Sequence, residues 1–456
     1  MSSPTAVPVW QEGIVRMPRP RLVVDIDVDV AIVGGGYTGL WTAYYLSELN
    51  PTLSIAVVEA NYVGFGGSGR NGGWCSAFLP MSPDEMAAEH GHEAMDFIQR
   101  AMFASVDEVG AVSVREGIDC GFAKGGTVTN ASSETQVERL RDYVSSWHAA
   151  GFSTDDVRWI EPREMTSRIA VARSLGGVVS PHCAAIDPWR LVSGLAGVLE
   201  RRGVRIFEAS PATSIASRRV TTEFGEVRAT WVVRAIESFG SQMADSARDI
   251  VPLYSLMVAT EPLSKRVWDS LGWSGRETFA DGRNMVTYAQ RTSDDRIAFG
   301  GRGAPYHFGS KIDAAYEINE TIHRRIEETM RENFPQIADA RITHRWGGPV
   351  GAPRDWHAFA NVDRTSGLCA GGGYVGDGVA LANLVGRTLA HLIVDTKEPI
   401  TRSLLVDHRS QRWEPEPLRW LGVNGLLALT EQADRMERRR GKPARRILAL
   451  RDRVLG

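Results

Sequence analysis

Asp29-Val-Ala-Ile-Val-Gly-Gly-Gly-Tyr-Thr-Gly-Leu40 is the stretch on which the fold turns. A short β-branched run, Val28–Val33, breaks into three glycines. A helix-compatible segment, Tyr37 to Leu49, follows and is stopped by Asn50-Pro51. Ser54–Val58 is a second apolar run rich in β-branched residues, and it closes on Glu59. Strand, helix and strand at these lengths make a βαβ unit, whose right-handed crossover lays the two strands side by side in a parallel sheet. Gly34, Gly36 and Gly39 fit G-x-G-x-x-G. The first allows the tight turn out of the strand, the second lets a diphosphate approach the backbone, and the third lets helix and strand pack closely. Tyr37 and Thr38 open the helix, where unpaired N–H groups and the dipole favour bound phosphate. Glu59, twenty positions beyond Gly39, stands where an acid binds a ribose hydroxyl pair. The fingerprint predicts a dinucleotide but does not separate FAD from NAD, and a βαβ unit that binds nothing carries the same pattern.

At 456 residues the chain is long enough for two cores. Its 43% hydrophobic and 23% charged residues are those of an ordinary globular protein, and a net charge of −3 gives no reason to expect nucleic acid. Five lysines stand against 47 arginines. Cys75, Cys120, Cys183 and Cys369 are widely spaced with no CxxC pair, which argues against a disulfide framework or a zinc site and for reduced thiols in a cytoplasmic protein. No run approaches the apolar length that spans a bilayer, and the proline-punctuated residues 1–26 read as an irregular arm rather than a signal peptide.

Two further glycine-rich segments lie outside the fingerprint. Ser68-Gly69-Arg70-Asn71-Gly72-Gly73 is too glycine-dense to pack a side-chain core, so its use is backbone donation to a ligand passing close by, or else it is a surface loop. Gly371 to Gly378 joins the strand Leu368–Gly373 to an apolar helix, Val379–Ile393, and offers a second helix N-terminus. Gly373, Gly376, Asp377, Gly378 and Val379 form that entry. Two such turns about 300 residues apart fit one long dinucleotide better than a mononucleotide. Aimed at a flavin ring, the second would stabilise the negative charge that develops there. Between Leu253 and Gly303 the strand-like runs Leu256–Thr260, Met285–Ala289 and Arg296–Gly300 predict an antiparallel sheet, and a charged-face helix is expected over Ala314–Asn333.

These segments together resemble the D-amino acid oxidase-type, glutathione reductase-2-like FAD-dependent oxidoreductases, on the side of the gamma-glutamylputrescine oxidase branch. Asp29–Leu40, Gly66–Gly73, Asp187-Pro-Trp-Arg190 and Gly372–Val379 carry the similarity across residues 30–400. The resemblance implies an α/β, Rossmann-like FAD-binding domain interleaved with an antiparallel-sheet substrate domain, and a site between the flavin face and that sheet. The expected division is an arm at 1–26, FAD-binding segments at 27–115, 185–250 and 340–400, substrate segments at 116–184 and 251–339, and a helical extension at 401–456. Two departures stand out. Arg296–Gly300 lacks the lysine that rapid amine oxidases carry near the flavin. Ala235-Ile-Glu-Ser-Phe-Gly240 replaces the usual Ala-Thr strand end. With no histidine in the Arg70–Gly73 loop, non-covalent FAD is expected.

Flavin oxidation of an amine asks for orientation more than acid–base equipment, so no triad is sought. Tyr288, Arg302, Trp346, Tyr374 and Asp377 are the candidate substrate-facing residues. Arg302 could pair with a carboxylate or form a surface salt bridge, and Trp346 could wall a pocket or belong to the core. Tyr288 could border the ring or pack internally, and Asp377 could contact substrate or cap a helix. His307 reads as structural. The basic tail Arg435–Ile447 could meet an anionic membrane, present a solvated face or contact another subunit. The expected activity is oxidation of an amine or amino acid, with electrons passing to oxygen. A dehydrogenase serving a quinone or carrier, a non-catalytic dinucleotide binder and an NAD(P) enzyme stay open as alternatives.

Overall fold

The computed structural model describes residues 4–303 and 305–455. The side chains of Arg302 and residues 452–455 lie outside what it describes. Two eight-stranded sheets carry the molecule. In the first, Leu368–Gly372, Glu226–Arg234, Ile26–Val33, Ile55–Val58 and Arg205–Phe207 run parallel in that spatial order, with Phe359–Asp363 antiparallel on one edge. The fingerprint strand therefore lies in the middle, buried on both faces. Val30 and Ile32 point into a helical layer, while Ala31 and Val33 point towards a hairpin, Ala212–Ala216 with Arg219–Thr222, on the opposite face. Burial on both sides is why its second half, Val30–Val33, reads as a continuous apolar run.

The helical layer is built around Tyr37–Leu49 and Val379–Ile393, two helices far apart in the chain that pack directly. Gly386 makes this possible, since a β-carbon there would stand 2.7 Å from the Trp41 β-carbon and 2.8 Å from the Thr42 nitrogen. Asn383 donates to the Tyr45 hydroxyl across the same contact at 2.8 Å. Pro83–His90, His92–Arg115 and Pro188–Arg201 are further helices of the first half, with Glu134–Ala149 and Pro162–Arg168 between the last two. Pro188–Arg201 is capped by Asp187, which accepts the Arg190 N–H at 3.0 Å.

The second sheet is antiparallel apart from one parallel pair, Thr127–Asn130 with Thr278–Asp281. Along Val251–Thr260, Leu256 and Val258 face the helix Glu320–Asn333, whereas Met257 and Ala259 join the core shared with the first sheet. One face is thus closed by a helix and the other is turned towards the first domain.

Several expectations need correction here. Residues 340–352, assigned from sequence to the FAD-binding segments, form the edge strand Ile342–Ala352 of the second sheet, paired along ten positions with Val251–Thr260. The first sheet resumes only at Phe359. The helix expected from Ala314 begins at Glu320 behind an Asn319 cap, because Asp313 and Asn319 each start a separate turn with their own side-chain acceptor. The arm is not loose. Thr5 pairs with His344 on the outer side of the edge strand, and Glu12 meets Arg296 at 2.7 Å. The C-terminal extension folds as two helices, Leu418–Arg440 and Arg445–Leu455. Its basic residues Arg435, Arg438 and Arg445 pair with Glu431, Glu332 and Glu138. No helix among the described residues is long and apolar enough to cross a membrane.

Candidate active site

The glycine turn at Gly34–Gly39 is closely packed. Gly34 lies at φ +112°, and a β-carbon on it would meet the Ala235 carbonyl oxygen at 2.3 Å. At Gly39 a β-carbon would stand 2.1 Å from the Gly34 carbonyl oxygen. Only glycine allows the backbone segments to pack this closely here. Ser68 reaches in from the second loop and accepts the Tyr37 N–H through Oγ at 2.9 Å, so the two segments share one helix N-terminus. Gly36 faces the same Ser68 hydroxyl. Glu59 accepts N–H bonds from Gly35 (2.7 Å) and Asn61 (2.8 Å), one on each carboxylate oxygen. Its remaining lone pairs suit a vicinal diol. Burial raises its pKa, an effect opposed by those N–H donors.

The second turn meets the first directly. The hydroxyls of Tyr374 and Thr38 are 2.7 Å apart and buried, and burial pushes the Tyr374 phenol far above its ordinary range. A cavity of about 350 Å³ connects the parts. Gly34, Gly36, Tyr37, Thr38 and Glu59 line one region of it, and Gly376, Gly378, Val379 and Pro349–Gly351 another. The Val379–Ile393 helix has Gly378, not Asp377, at its N-cap position. The Asp377 N–H donates to the Tyr374 carbonyl.

The Ser68–Gly73 loop is an ordered wedge between the domains rather than a surface loop. Asn71 pins it from within, donating to the Gly67 and Ser68 carbonyls and accepting the Gly73 N–H at 2.8 Å. Trp10 of the arm donates to the Asn71 carbonyl at 2.9 Å, and Trp346 donates to that of Arg70 at 2.8 Å. Trp346 is fully buried, which places it beneath the loop and not on an open pocket wall. Tyr288 rests its ring against Gly72, where a β-carbon would come within 2.6 Å. Its hydroxyl lies 2.6 Å from Ser255 Oγ and its ring is edge-on to Trp74. Arg302 pairs through its backbone with Ser255, and its side chain lies outside the described residues. His307 is stacked on Tyr316 at 3.4 Å, in keeping with a packing role.

Four residues here were not found by reading the sequence. Gln290, fully buried, donates to the Gly72 and Ile186 carbonyls at 2.8 and 3.0 Å and holds the loop from the sheet side. Glu317 forms an ion pair with Arg70 at 2.6 Å, leaving the buried Arg70 Nε without a partner among the described residues. Ser255 carries Tyr288. Glu237 lines the cavity and accepts from the second turn. Of these, only Glu237 left a trace in the sequence, as the unusual Ala235–Gly240 strand end.

A parallel sheet thus presents the Gly34–Gly39 turn, the Glu59 carboxylate and a second helix entry to one cavity, the arrangement of a dinucleotide-binding fold. The chain belongs to the FAD dependent oxidoreductase (DAO) family, whose model matches residues 29–392. It is 27% identical over 382 residues to the gamma-glutamylputrescine oxidoreductase of Escherichia coli (strain K12), covering 82% of this chain and 86% of that protein. To the glycine oxidase of Geobacillus kaustophilus it is 24% identical over 373 residues, covering 80% and 92%. The crystal structure of glycine oxidase from Geobacillus kaustophilus superposes with a TM-score of 0.67 at 21% identity, over 84% of this chain and 99% of that one. The L-proline dehydrogenase of P. horikoshii gives the same TM-score at 18% identity, over 84% and 96%. The cofactor is FAD, and the open glycine turns and the Glu59 carboxylate fit its ADP half.

Proposed function

We propose that this enzyme oxidises the C–N bond of a small amine or amino acid, using non-covalently held FAD. The observation that carries the reading is the single cavity that runs from Glu59 past the Thr38–Tyr374 contact to the Gly376–Val379 helix entry. When bound, FAD supplies the two-electron acceptor. The chain's own residues bind and orient. The Tyr37–Thr38 helix N-terminus and Ser68 hold the diphosphate, and Glu59 takes the ribose. Tyr288, fixed by Ser255 and Gly72, forms part of a substrate wall with Trp74. The Arg70–Glu317 pair offers a cation for a substrate carboxylate and an anion for an ammonium group. A neutral amine held with its C–H bond towards the cofactor would give up hydride to it and a proton from nitrogen to solvent, and water would convert the imine to a carbonyl compound and a released amine or ammonia.

Support for the substrate class comes from the relatives, whose names specify gamma-glutamylputrescine and glycine. Oxygen is the proposed electron acceptor, with hydrogen peroxide as product. A second reading, a dehydrogenase serving a quinone or carrier, draws on the lysine-free strand Ile297–Arg302 and on the name of a structural neighbour, L-proline dehydrogenase. The test is the visible spectrum of the purified protein, followed by anaerobic mixing with primary amines, secondary amines, polyamines and amino acids. Bleaching by one class supports the reading, and a yellow protein that no amine bleaches removes it. Peroxide formation under air compared with dye reduction divides the two acceptors.

A further inference from the structure

Glu237 sits at a junction of three chain segments. It follows the strand Glu226–Arg234, whose continuation supplies the Ala235 carbonyl against Gly34, and it adopts φ +45°, a conformation L residues rarely hold. One carboxylate oxygen accepts the N–H groups of Gly373 (3.1 Å) and Tyr374 (3.2 Å), in the turn that leads to Gly376–Val379. Gly351, at the end of the second sheet's edge strand, packs against the same carboxylate, and a β-carbon on it would meet the other oxygen at 1.9 Å. Three chain segments therefore converge on one carboxyl group. Burial raises its pKa, and the N–H groups of Tyr374 and Gly373 oppose that by favouring the ionised form.

Its electrostatic surroundings are one-sided. Among the described residues that line the cavity, the only acids are Glu59 and Glu237, and there is no lysine, arginine or histidine. Glu59 lies by the first turn, held by Gly35 and Asn61. Glu237 stands between the first turn and the second. A charge in a cavity with little water acts on whatever passes it more strongly than one on the surface.

We propose that Glu237 is a positioning residue for the cofactor, which holds the Gly373–Gly378 turn against the second sheet and places a negative charge on the cofactor's path that disfavours the reduced cofactor relative to the oxidised one. This rests on FAD occupying the cavity as described. Two variants of the holoenzyme test it. Glu237→Gln keeps the size and removes the charge. FAD should stay bound, while the balance between reduced and oxidised binding shifts at least tenfold towards reduced, a rise of about 30 mV for a two-electron couple. Glu237→Asp keeps the charge but draws it back from the turn. The midpoint potential should hold and the FAD dissociation constant should rise at least tenfold.

A purely structural role would lower the apoprotein's thermal stability and leave the potential of the Gln variant where it was, and that result overturns the proposal. So does an Asp variant that binds FAD as tightly as the wild type, which decides alone if the Gln variant does not fold. A wild-type protein that takes up no FAD would instead sink the functional reading itself.

Discussion

Thr38 and Tyr374 are separated by 336 positions, yet their hydroxyls share one buried hydrogen bond. Tyr374→Phe removes it and leaves the Thr38 hydroxyl without its partner. The cost is about 1–3 kcal/mol in chemical denaturation, with little change in the denaturant slope. Glu59 presents a different balance, because its carboxylate is held by two N–H groups and still faces the cavity. Glu59→Gln keeps the shape but trades one acceptor for a donor. FAD affinity should fall by roughly ten- to a hundredfold, as expected for about 1.5–3 kcal/mol per charged hydrogen bond. Titration of the apoprotein with FAD measures it, and an unchanged dissociation constant would remove Glu59 from the ribose site.

At the scale of elements, the Ser68–Gly73 loop owes its order to donors from elsewhere: Trp10, Trp346 and Gln290. Trp346→Phe keeps the apolar bulk and deletes the indole N–H. The protein should stay folded, while the loop becomes accessible to proteolysis at Arg70 and FAD is lost more readily on gel filtration. The segment Pro353–Ala358 joins the two sheets and carries a different device. His357 stacks on His408 at 3.8 Å and lies edge-on to His90, and His408 bonds Asp355 at 2.8 Å. Burial first, then the neighbouring His408, lowers the His357 pKa to about 4, and the Asp355 carboxyl stands near 2. Between pH 6.5 and about 4 the native state binds fewer protons at His357 than the unfolded chain does. Stability is therefore full above pH 6.5 and falls on acidification, by at most about 3 kcal/mol. His357→Asn should flatten that loss in denaturation curves taken from pH 7 to 5. An equally steep loss in the variant would assign the acid sensitivity elsewhere.

The molecule as a whole is two sheets threaded by one chain, with the active-site wedge between them and the C-terminal helices attached to the second. Asp434 is the clip. Its carboxylate accepts from the Asn284 backbone N–H and side-chain amide and from the Met285 N–H, at 2.8–2.9 Å. That turn leads into Thr287–Arg291, the strand that bears Tyr288. Asp434→Ala should loosen the turn and raise KM for the amine several-fold while FAD content stays unchanged. Loss of FAD in this variant would show that the extension supports the first domain as well.

Legibility followed the range of the interactions. The βαβ unit, the glycine turns and the acid at the second strand end are short-range patterns, set by backbone sterics and the period of the strand, and they identified the cofactor half. The edge strand Ile342–Ala352 was misassigned because a strand's pattern states that it pairs and not with which sheet. Gln290, Glu317 and Ser255 gave no local sign of a role in the site, since a polar side chain becomes functional only when distant backbone groups are brought to it. The sequence by itself determined the βαβ unit and set the dinucleotide fingerprint at Gly34–Gly39. Tertiary packing alone decided which residues close the other end of the cavity, because hydrogen-bond partners hundreds of positions apart are chosen by the docking of two sheets.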